Sequence, residues 1–429
     1  MKLWEKGAPI DEIMEHFTVG ADRNVDVRLA RWDVVGSIAH AEMLGVVGLI
    51  SNEERQLLTT ELGLLLESID ANGFVIDNDV EDVHSQVEKI LTEKLGDVGK
   101  KIHTGRSRND QVLVDMKLFL RHELRTLQRD AKNAALLLLD MADRHEHVLL
   151  PGYTHYQIAM PSSFGLWFGG YAESLLEDLR VFDIAIDAAN ANPLGSAAGY
   201  GTNLPLDRGL TTRALNFDRV HITSTFAQMS RGRTEKLAAI AIAQCASTIA
   251  RFASDVVHYA SQNYGFIALP EALTTGSSIM PHKKNPDVFE VLRARCNRLQ
   301  SLPQEIGSVI TNLPSGYHRD MQFIKDRIVW AVDECALVLR VLQHVTPHIQ
   351  PIDGIVAHPM YQHLFSVDRV DELVKNGMPF RDAYRQVAQE IREGAVMRAP
   401  QAERNTTPAA LGSITNAGLQ ELRERAAGG

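Results

Sequence analysis

The 429 residues of this chain are too many for one compact hydrophobic core, and their number suits two or three domains. Apolar residues make up 45% of the chain and charged residues 23%, which is the balance of an ordinary globular protein. The formal net charge of −10 argues against a nucleic-acid partner, because a phosphate backbone requires a basic protein face. It is compatible with an anionic small substrate, since a local cluster of Arg and Lys can dominate one pocket.

Cysteine content and hydropathy indicate the compartment. The three cysteines, Cys245, Cys296 and Cys335, lie in apolar, helix-like stretches without a second Cys or a His at metal-ligand spacing. We therefore expect buried thiols in a reducing compartment. Charges interrupt the first residues from Lys2 onward, which is not typical of a signal peptide. The most apolar run, residues 134–139, is too short to span a bilayer, so the sequence predicts a soluble, cytoplasmic protein without a membrane partner.

Proline and glycine punctuate the chain and thereby predict where long helices lie. Before residue 104 the helical pieces are short. Neither Pro nor Gly occurs over residues 111–150 or 234–264, and the second stretch alone could form a helix of roughly 45 Å. That stretch also has apolar residues at alternating spacings of three and four, as in a helix packed lengthwise against others: Ile242, Cys245, Ile249, Phe252, Val256 and Tyr259.

No segment has the alternating β-branched pattern of a strand, so we predict an all-α fold. Three further helices are predicted, at residues 164–191, 286–302 and 321–345. The predicted domains are an N-terminal helical domain (residues 1–104), a long central helical bundle (105–345) and a small C-terminal helical domain (346–429). A bundle of this length would expose too much apolar surface as a monomer. We therefore expect a homotetramer assembled around a core of many helices.

Residues 274–287, TTGSSIMPHKKNPD, form a polar loop that leads into a predicted helix. Asn285 suits the N-cap, Pro286 the first helical position and Asp287 the positive end of the helix dipole. A loop of this kind can close over a bound anion and exclude water. A solvated connector is the alternative, but it would not explain paired serines and paired lysines beside a capped helix.

Two more polar segments border the helix predicted at residues 111–150. Residues 103–110, HTGRSRND, suit a carboxylate clamp at its start, and they also suit a capping turn with surface arginines. Residues 151–157, PGYTHYQ, form a turn after it, and a single histidine in a turn is more often structural than catalytic. Taken singly, neither segment decides a function.

Together these segments resemble the fumarase/aspartase superfamily, whose members eliminate across the Cα–Cβ bond of a succinyl group and release fumarate. The loop has the GSSxMPxKxNP pattern of that superfamily. GRSRNDQ, PGYTHxQ and the late GMPFRDAY (residues 377–384) are similar to argininosuccinate lyases, and the similarity runs from residue 33 to about residue 384. The resemblance implies a carbon–nitrogen lyase for a small-molecule substrate, splitting argininosuccinate into arginine and fumarate in the last step of arginine biosynthesis. It also implies a tetramer whose sites are shared between subunits.

The resemblance implies catalytic roles as well. Ser277 would be the base that removes a proton next to a carboxylate, although a free serine needs nearby positive charge or loop closure to act so. Lys283 and Asn285 would stabilise the developing dianion. His155 would act as the acid toward the guanidinium leaving group or relay the proton, and Glu290 would pair with it and orient its ring.

The implied substrate-binding residues fall into two groups. For the carboxylates of the fumarate half they are Ser107, Arg108, Asn109 and Thr154. For the arginine half they follow the pattern Y-x4-Q-x2-K and are Tyr317, Gln322 and Lys325. His84 matches a helix-borne histidine of the family, and a satisfied polar group at a helix interface explains it equally well. No cluster at metal spacing and no phosphate-binding glycine motif occurs, so we expect no metal and no organic cofactor.

Two positions depart from the family pattern. Asp22 stands where a serine that contacts substrate is common, and His282 stands where glutamine is common. Neither change removes a residue that the chemistry requires. Two alternative functions stay open: a sibling lyase (fumarase, aspartase, adenylosuccinate lyase or a cycloisomerase), which should lack GMPFRxAY, and a non-catalytic crystallin-like homologue, which should have lost a site residue.

Overall fold

The computed structural model of this chain describes residues 12–18, 22–397 and 416–428, and helices dominate this part. The first helices are α1 (Glu12–Thr18), α2 (Asp22–Asp26), α3 (Ala30–Val46), α4 (Asn52–Asn72), α5 (Val83–Leu95) and α6 (Asp97–Lys100). Then follow α7 (Arg108–Arg144), α8 (Phe164–Ala189), α9 (Arg208–Ala214), α10 (Ser224–Met229), α11 (Arg233–Tyr259), α12 (Asp287–Gln300), α13 (Leu302–Val309) and α14 (Lys325–Val345). The last are α15 (Ser366–Lys375), α16 (Phe380–Arg392) and α17 (Asn416–Gly428). The all-α prediction is confirmed.

The five long helices predicted in mid-chain are present as α7, α8, α11, α12 and α14. All five are shorter than predicted, and two of the shortened ends have a local structural cause. Helix α7 ends at Arg144 because the following residues enter a β-hairpin. Helix α14 begins at Lys325 because residues Arg319–Ile324 form tighter 3-10 turns before it. Periodicity thus located these helices, whereas their ends depended on neighbouring structure.

The described residues form two compact units, and each unit combines three stretches of the chain. The first unit consists of residues 1–127, 181–243 and 299–335. The second unit consists of residues 128–180, 244–298 and 336–429. The predicted division at residues 104 and 345 follows chain order instead, and it stays a prediction.

Each unit has a core of its own. In the first unit, buried Leu, Val, Ala and Met side chains of α3, α4 and α5 form one apolar cluster. In the second unit, the indole of Trp167 stacks on the ring of Phe252 with centroids 5.2 Å apart. The indole N–H of Trp167 and the hydroxyl of Tyr171 both donate to Asp255, so the polar edges of this aromatic cluster are satisfied.

The structure contains a β-hairpin that the sequence did not predict. Strand β1 (Leu149–Thr154) pairs antiparallel with β2 (Gln157–Ser163), and a bulge lies between Pro151 and Tyr153. Two further pairs have two residues per strand: β3 (Ala191–Asn192) with β4 (Arg219–Val220), and β5 (Ile267–Ala268) with β6 (Gln350–Pro351). The plain turn predicted at residues 151–157 was wrong, because proline and glycine within the strands hide the alternating pattern.

By length and hydropathy alone, the helical stretch Ser224–Tyr259 could cross a membrane. Of its most apolar window, 56% is buried within the fold, as in the core helix of a globular protein. The seam predicted along α11 accounts for much of this burial, since Cys245, Ile249, Phe252 and Val256 are all buried. The other two cysteines are buried as well, and none of the three forms a disulfide within the described residues.

Candidate active site

The first unit contains a polar cavity of about 320 Å³. Its walls come from segments that lie far apart in the sequence. Six of the predicted site residues line it: His84, Arg108, Asn109, Tyr317, Gln322 and Lys325. The fold therefore brings residues of both predicted binding groups to one place.

The start of α7 contributes Arg108 and Asn109 to this cavity. The guanidinium of Arg108 donates to Oε2 of Glu81 (3.0 Å) and to Oγ of Ser85 (2.7 Å). It also lies 3.2 Å from Oδ2 of Asp82. Carboxylates of the protein thus balance the charge of Arg108 before any ligand binds.

The two residues before Arg108 make hydrogen bonds within the protein. Oγ of Ser107 accepts a hydrogen bond from the backbone N–H of Asn109 (3.2 Å), which satisfies one of the open amides at the start of α7. Arg106 is buried and donates to Oγ of Ser37 (3.0 Å). Of the two arginines in HTGRSRND, Arg108 lines the cavity and Arg106 stabilises the interior.

His84 lies in the first turn of α5 and is 8% exposed. Its Nδ1 is 2.7 Å from Oδ1 of Asp33 and 3.6 Å from Oδ2 of Asp115. Burial lowers the pKa of His84, but the charge and hydrogen bond of Asp33, together with Asp115 and Asp82, raise it to about 9. One ring nitrogen is therefore satisfied inside the fold, and the residue still borders the cavity.

Lys325, the first residue of α14, is 4% exposed and is held by two carboxylates. Its Nζ lies 2.7 Å from Oδ1 of Asp22 and also donates to Asp26. Burial lowers the pKa of Lys325, and the two carboxylates outweigh burial and raise it. Asp22, where the family pattern has serine, therefore has a defined partner. Burial raises its own pKa, while Lys325 opposes that shift.

Tyr317 and Gln322 reach the cavity from the segment before α14. Residues three apart lie above one another in 3-10 turns, so Gln322 and Lys325 lie on the same side of this segment. The side-chain amide of Gln322 donates to the carbonyl of Thr18 (3.0 Å). Tyr317 is 38% exposed and lines the cavity.

Five charged residues of the cavity wall were not predicted from the sequence: Asp26, Glu81, Asp82, Arg231 and Arg319. Nε of the buried Arg231 lies 3.0 Å from Oε1 of Glu235, and its Nη2 donates to the carbonyl of Met321 (3.3 Å). Its Nη1 is buried without a hydrogen-bond partner within the described residues. The local sequence, SRGR, contains no signal that separates this arginine from a surface arginine.

In the second unit, the loop of residues 274–286 is closed at its base by backbone pairing. Thr275 and Asn285 exchange two backbone hydrogen bonds, of 3.2 and 2.9 Å. The side-chain amide of Asn285 donates to the carbonyl of Gly276 (3.3 Å), and α12 begins at Asp287. The predicted N-cap role of Asn285 is wrong, because the carbonyl of Pro286 accepts the backbone hydrogen bond of Glu290 (3.3 Å) and Pro286 is therefore the residue that precedes the helix. His282 and Lys283 are exposed in the same loop.

Ser277 is half-buried in this loop. Its Oγ accepts hydrogen bonds from the backbone N–H groups of Ile279 (3.3 Å) and Met280 (3.2 Å). Two amide donors on one hydroxyl oxygen favour negative charge there, which is what a serine needs to act as a base. Neighbouring Ser278 is exposed.

His155 stands at the tip of the β1–β2 hairpin. Thr154 pairs with Gln157, so His155 and Tyr156 form a two-residue turn, and their φ angles are 54° and 58°. Both values are left-handed, as in a type I′ turn, where Gly or Asn is usual. Such backbone strain costs about 1–3 kcal/mol per residue and clusters at functional sites. Both side chains are exposed.

The strand below this tip is anchored by aromatic residues. The hydroxyls of Tyr153 and Tyr361 lie 3.2 Å apart, and the ring of Tyr153 packs edge-on against Tyr264. Glu290, in the first turn of α12, is exposed. Among the described residues, no hydrogen bond or ion pair joins His155 to Ser277 or to Glu290.

Comparisons with known proteins identify the family of this chain. Residues 5–301 match a family described as "Lyase". The chain is 48% identical to argininosuccinate lyase of Phocaeicola vulgatus over 428 residues, which is 100% of this chain and 96% of that protein. It is 38% identical to argininosuccinate lyase of Thermotoga neapolitana, over 90% of this chain and 98% of that protein. The chain belongs to the argininosuccinate lyase family.

Solved structures show the same fold. EDDS lyase in complex with formate has a TM-score of 0.75 and 22% identity, and the match covers 98% of this chain and 85% of that chain. Fumarate lyase/delta crystallin from Brucella melitensis bound to cobalt has a TM-score of 0.71 and 15% identity, covering 87% and 86%. The all-α architecture of this argininosuccinate lyase family member is therefore the one found in these lyases.

The buried ion pair of this lyase leads to a prediction about stability. Lys325→Met should lower the free energy of unfolding by about 3 kcal/mol, because it removes the cation that pairs with the buried Asp26 carboxylate and the partly buried Asp22 carboxylate. Urea titration at fixed protein concentration measures this change. Lys94→Met is the matched control, since Lys94 and Glu61 form a more exposed pair worth less than about 1 kcal/mol. Equal losses in both variants would contradict the role given to Lys325.

Proposed function

We propose that this lyase splits argininosuccinate into arginine and fumarate, with Ser277 as the base. The observation that carries the proposal is the first-unit cavity, which is lined by two implied residues of the fumarate half and three of the arginine half: Arg108, Asn109, Tyr317, Gln322 and Lys325. Relatives named argininosuccinate lyase, at 48% identity over the whole chain, support the same conclusion. The late GMPFRDAY segment favours this activity over that of a sibling lyase. Every implied site residue except the one at the Asp22 position is retained, and this argues against a non-catalytic homologue.

In the proposed reaction, Oγ of Ser277 takes a proton from the succinyl carbon next to a carboxylate. The electron pair left behind spreads into that carboxylate and forms a dianion. It then returns to form the carbon–carbon double bond of fumarate, while the bond from the neighbouring carbon to the guanidinium nitrogen breaks. The amides of Ile279 and Met280 support the charge on Ser277, and Lys283 and Asn285 stabilise the dianion.

The leaving guanidino group takes up a proton as its bond to carbon breaks. We propose that His155 supplies or relays this proton, and that the Glu290 carboxylate orients the ring. The left-handed turn places the imidazole at the exposed tip of a hairpin. Because His155 and Glu290 do not contact each other in one chain, their pairing would require a second subunit.

Binding would divide between the two groups of residues. Carboxylates of the fumarate half would meet Ser107, Arg108, Asn109 and Thr154. The arginine half would meet Tyr317, Gln322 and Lys325. In this chain the Lys325 ammonium is balanced by Asp22 and Asp26, so the arginine half would encounter an ion-pair cluster with surplus negative charge. Such a cluster suits the α-ammonium or guanidinium group of that half.

We further propose a homotetramer, in the cytoplasm, whose sites combine residues of different subunits. Apolar side chains exposed near α10 support an interface: Ile222 is 84% exposed, and Phe226 and Met229 are 44% and 51% exposed. A patch of this kind on a globular protein is typical of a surface that a partner covers. Identical subunits are the simplest partner, since closed symmetric assemblies are the commonest oligomers.

Subunit mixing tests the shared site. His155→Asn and Ser277→Ala proteins, each inactive, should regain activity when they are mildly unfolded together and reassembled. In a random mixture, half the chains carry wild-type His155 and half carry wild-type Ser277, so about a quarter of shared sites would hold both. Size-exclusion chromatography and the rate of fumarate formation measure assembly and recovery.

A mixture of Ser277→Ala with Ser277→Gly is the control and should stay inactive, because no site can then receive a wild-type serine. If the His155 and Ser277 variants mix in one oligomer and stay inactive, both residues would have to come from one chain.

Substrate identity is tested by one parallel assay. Formation of fumarate is followed by its ultraviolet absorbance with argininosuccinate, adenylosuccinate, aspartate and malate at equal concentrations. We expect turnover with argininosuccinate alone. Fumarate from one of the other three would assign the chain to a sibling activity, and no fumarate from any would favour a non-catalytic homologue.

A further inference from the structure

Two buried carboxylates face one ring nitrogen of His84. Asp33 lies on α3, Asp115 on α7 and His84 on α5, and Asp33 and Asp115 are 1% and 0% exposed. Nδ1 of His84 is 2.7 Å from Oδ1 of Asp33 and 3.6 Å from Oδ2 of Asp115. Both oxygens of Asp115 and Oδ2 of Asp33 are buried without a hydrogen-bond partner within the described residues. Three helices thus converge on one imidazole. We name Asp33, His84 and Asp115 together the His84 cluster.

The geometry determines which ring nitrogen is available. A carboxylate oxygen at 2.7 Å accepts a hydrogen bond, so Nδ1 of His84 must carry a proton. His84 also lines the 320 Å³ cavity. Because Nδ1 is occupied, Nε2 is the ring nitrogen that can meet a ligand there.

Resting on the proposed function, we propose that Asp33, with Asp115 behind it, is a positioning residue that keeps His84 an imidazolium. The Nε2–H of His84 then donates to a carboxylate of the bound succinyl group. In this arrangement Asp33 acts on the substrate only through the ring. The proposal assigns a function to two buried acids that the elimination itself does not use.

The surrounding charges support this protonation state. Burial lowers the pKa of His84, whereas Asp33, Asp115 and Asp82 raise it to about 9. Burial and the charge of Asp33 raise the pKa of Asp115 well above its usual range. The buried guanidinium of Arg106 also acts on both acids, and burial, Arg106, Arg108 and His84 lower the pKa of the neighbouring His103.

The raised pKa of His84 in the folded protein also affects stability. His84 stabilises the fold fully below about pH 6.5, and this contribution is lost as pH rises through about 9.

A metal ion is the competing explanation, since the ligand atoms of Asp33, His84 and Asp115 all lie within 4.8 Å of one another. Two observations favour the proton. The short contact to Asp33 is a complete hydrogen bond, and Arg106 already supplies positive charge beside both acids. A divalent ion would have to displace the proton on Nδ1 and would lie beside that guanidinium.

The first test does not depend on catalysis. NMR of the imidazole signals in the substrate-free protein follows the protonation of each histidine as pH is changed. The signal of His84 is the one that is missing from the spectrum of His84→Asn. We expect His84 to titrate near pH 9 in the wild type and toward pH 7 in Asp33→Asn. Titration of wild-type His84 near 6.5 would overturn the proposal even if the enzyme cleaves argininosuccinate.

The second test uses fumarate as the probe and argininosuccinate as the substrate. At pH 8, Asp33→Asn should weaken fumarate binding and raise KM about tenfold, with kcat changed less than about threefold. The pH at which KM rises should be about 9 in the wild type and lower in Asp33→Asn, in parallel with the NMR titration of His84. Asp33→Glu should restore part of the binding, because it keeps the charge.

A double-mutant cycle separates positioning from a merely structural role. In a His84→Asn background, Asp33→Asn should produce no further loss of fumarate binding. An equal loss in both backgrounds would show that Asp33 acts only on the fold. Added Zn²⁺ or Co²⁺ that raises Tm in the wild type but not in Asp33→Asn would identify a metal site instead and would overturn the proposal.

Discussion

Ser277→Ala is expected to lower kcat by about a thousandfold or more, equivalent to about 4 kcal/mol of barrier, while KM and folding change little. The reason is that Oγ of Ser277 is the atom on which two backbone amides converge. Its removal takes away the proposed base but almost no packing, since the residue is half-buried in a loop. Steady-state kinetics and thermal unfolding of the same preparation measure both quantities.

Ser278→Ala is the matched control and should retain most of the activity, because Ser278 is the exposed neighbour in the same loop. If Ser277→Ala retained more than about a tenth of the wild-type kcat, a loss below roughly 1.4 kcal/mol, Ser277 could not be the base.

His155→Asn is expected to lower kcat about a hundredfold or more and to change KM far less, because the imidazole acts on the leaving group in the transition state. Asparagine is the replacement to use, since it tolerates the left-handed backbone of this turn better than most residues. Glu290→Gln should show a smaller loss of the same kind, because it removes the charge that orients the ring.

Tyr156→Asn is the control for His155→Asn. It changes the other left-handed residue of the same turn, at φ 58°, and should leave kcat within about threefold of the wild type. If His155→Asn changed only KM, the imidazole would be a binding group. If Tyr156→Asn were as inactive as His155→Asn, the conformation of the turn itself would be required for activity.

Much of this lyase could be predicted from local patterns. Stretches without Pro and Gly predicted the long helices, because helix formation depends on hydrogen bonds and side-chain contacts within a few residues. The GSSxMPxKxNP loop and the GRSRNDQ and PGYTHxQ segments indicated the family for a similar reason, since each is one continuous segment whose residue types suit elimination chemistry.

Other features became visible only in the folded chain. The pairing of Lys325 with Asp22 and Asp26 joins residues about three hundred positions apart, and the His84 cluster joins three helices. The burial of Arg231 at the cavity wall also has no local signal. From the sequence alone, a charged residue is expected to be exposed to solvent. Desolvation and the partners met inside the fold determine which of them bind, position or stabilise, and neither follows from spacing along the chain.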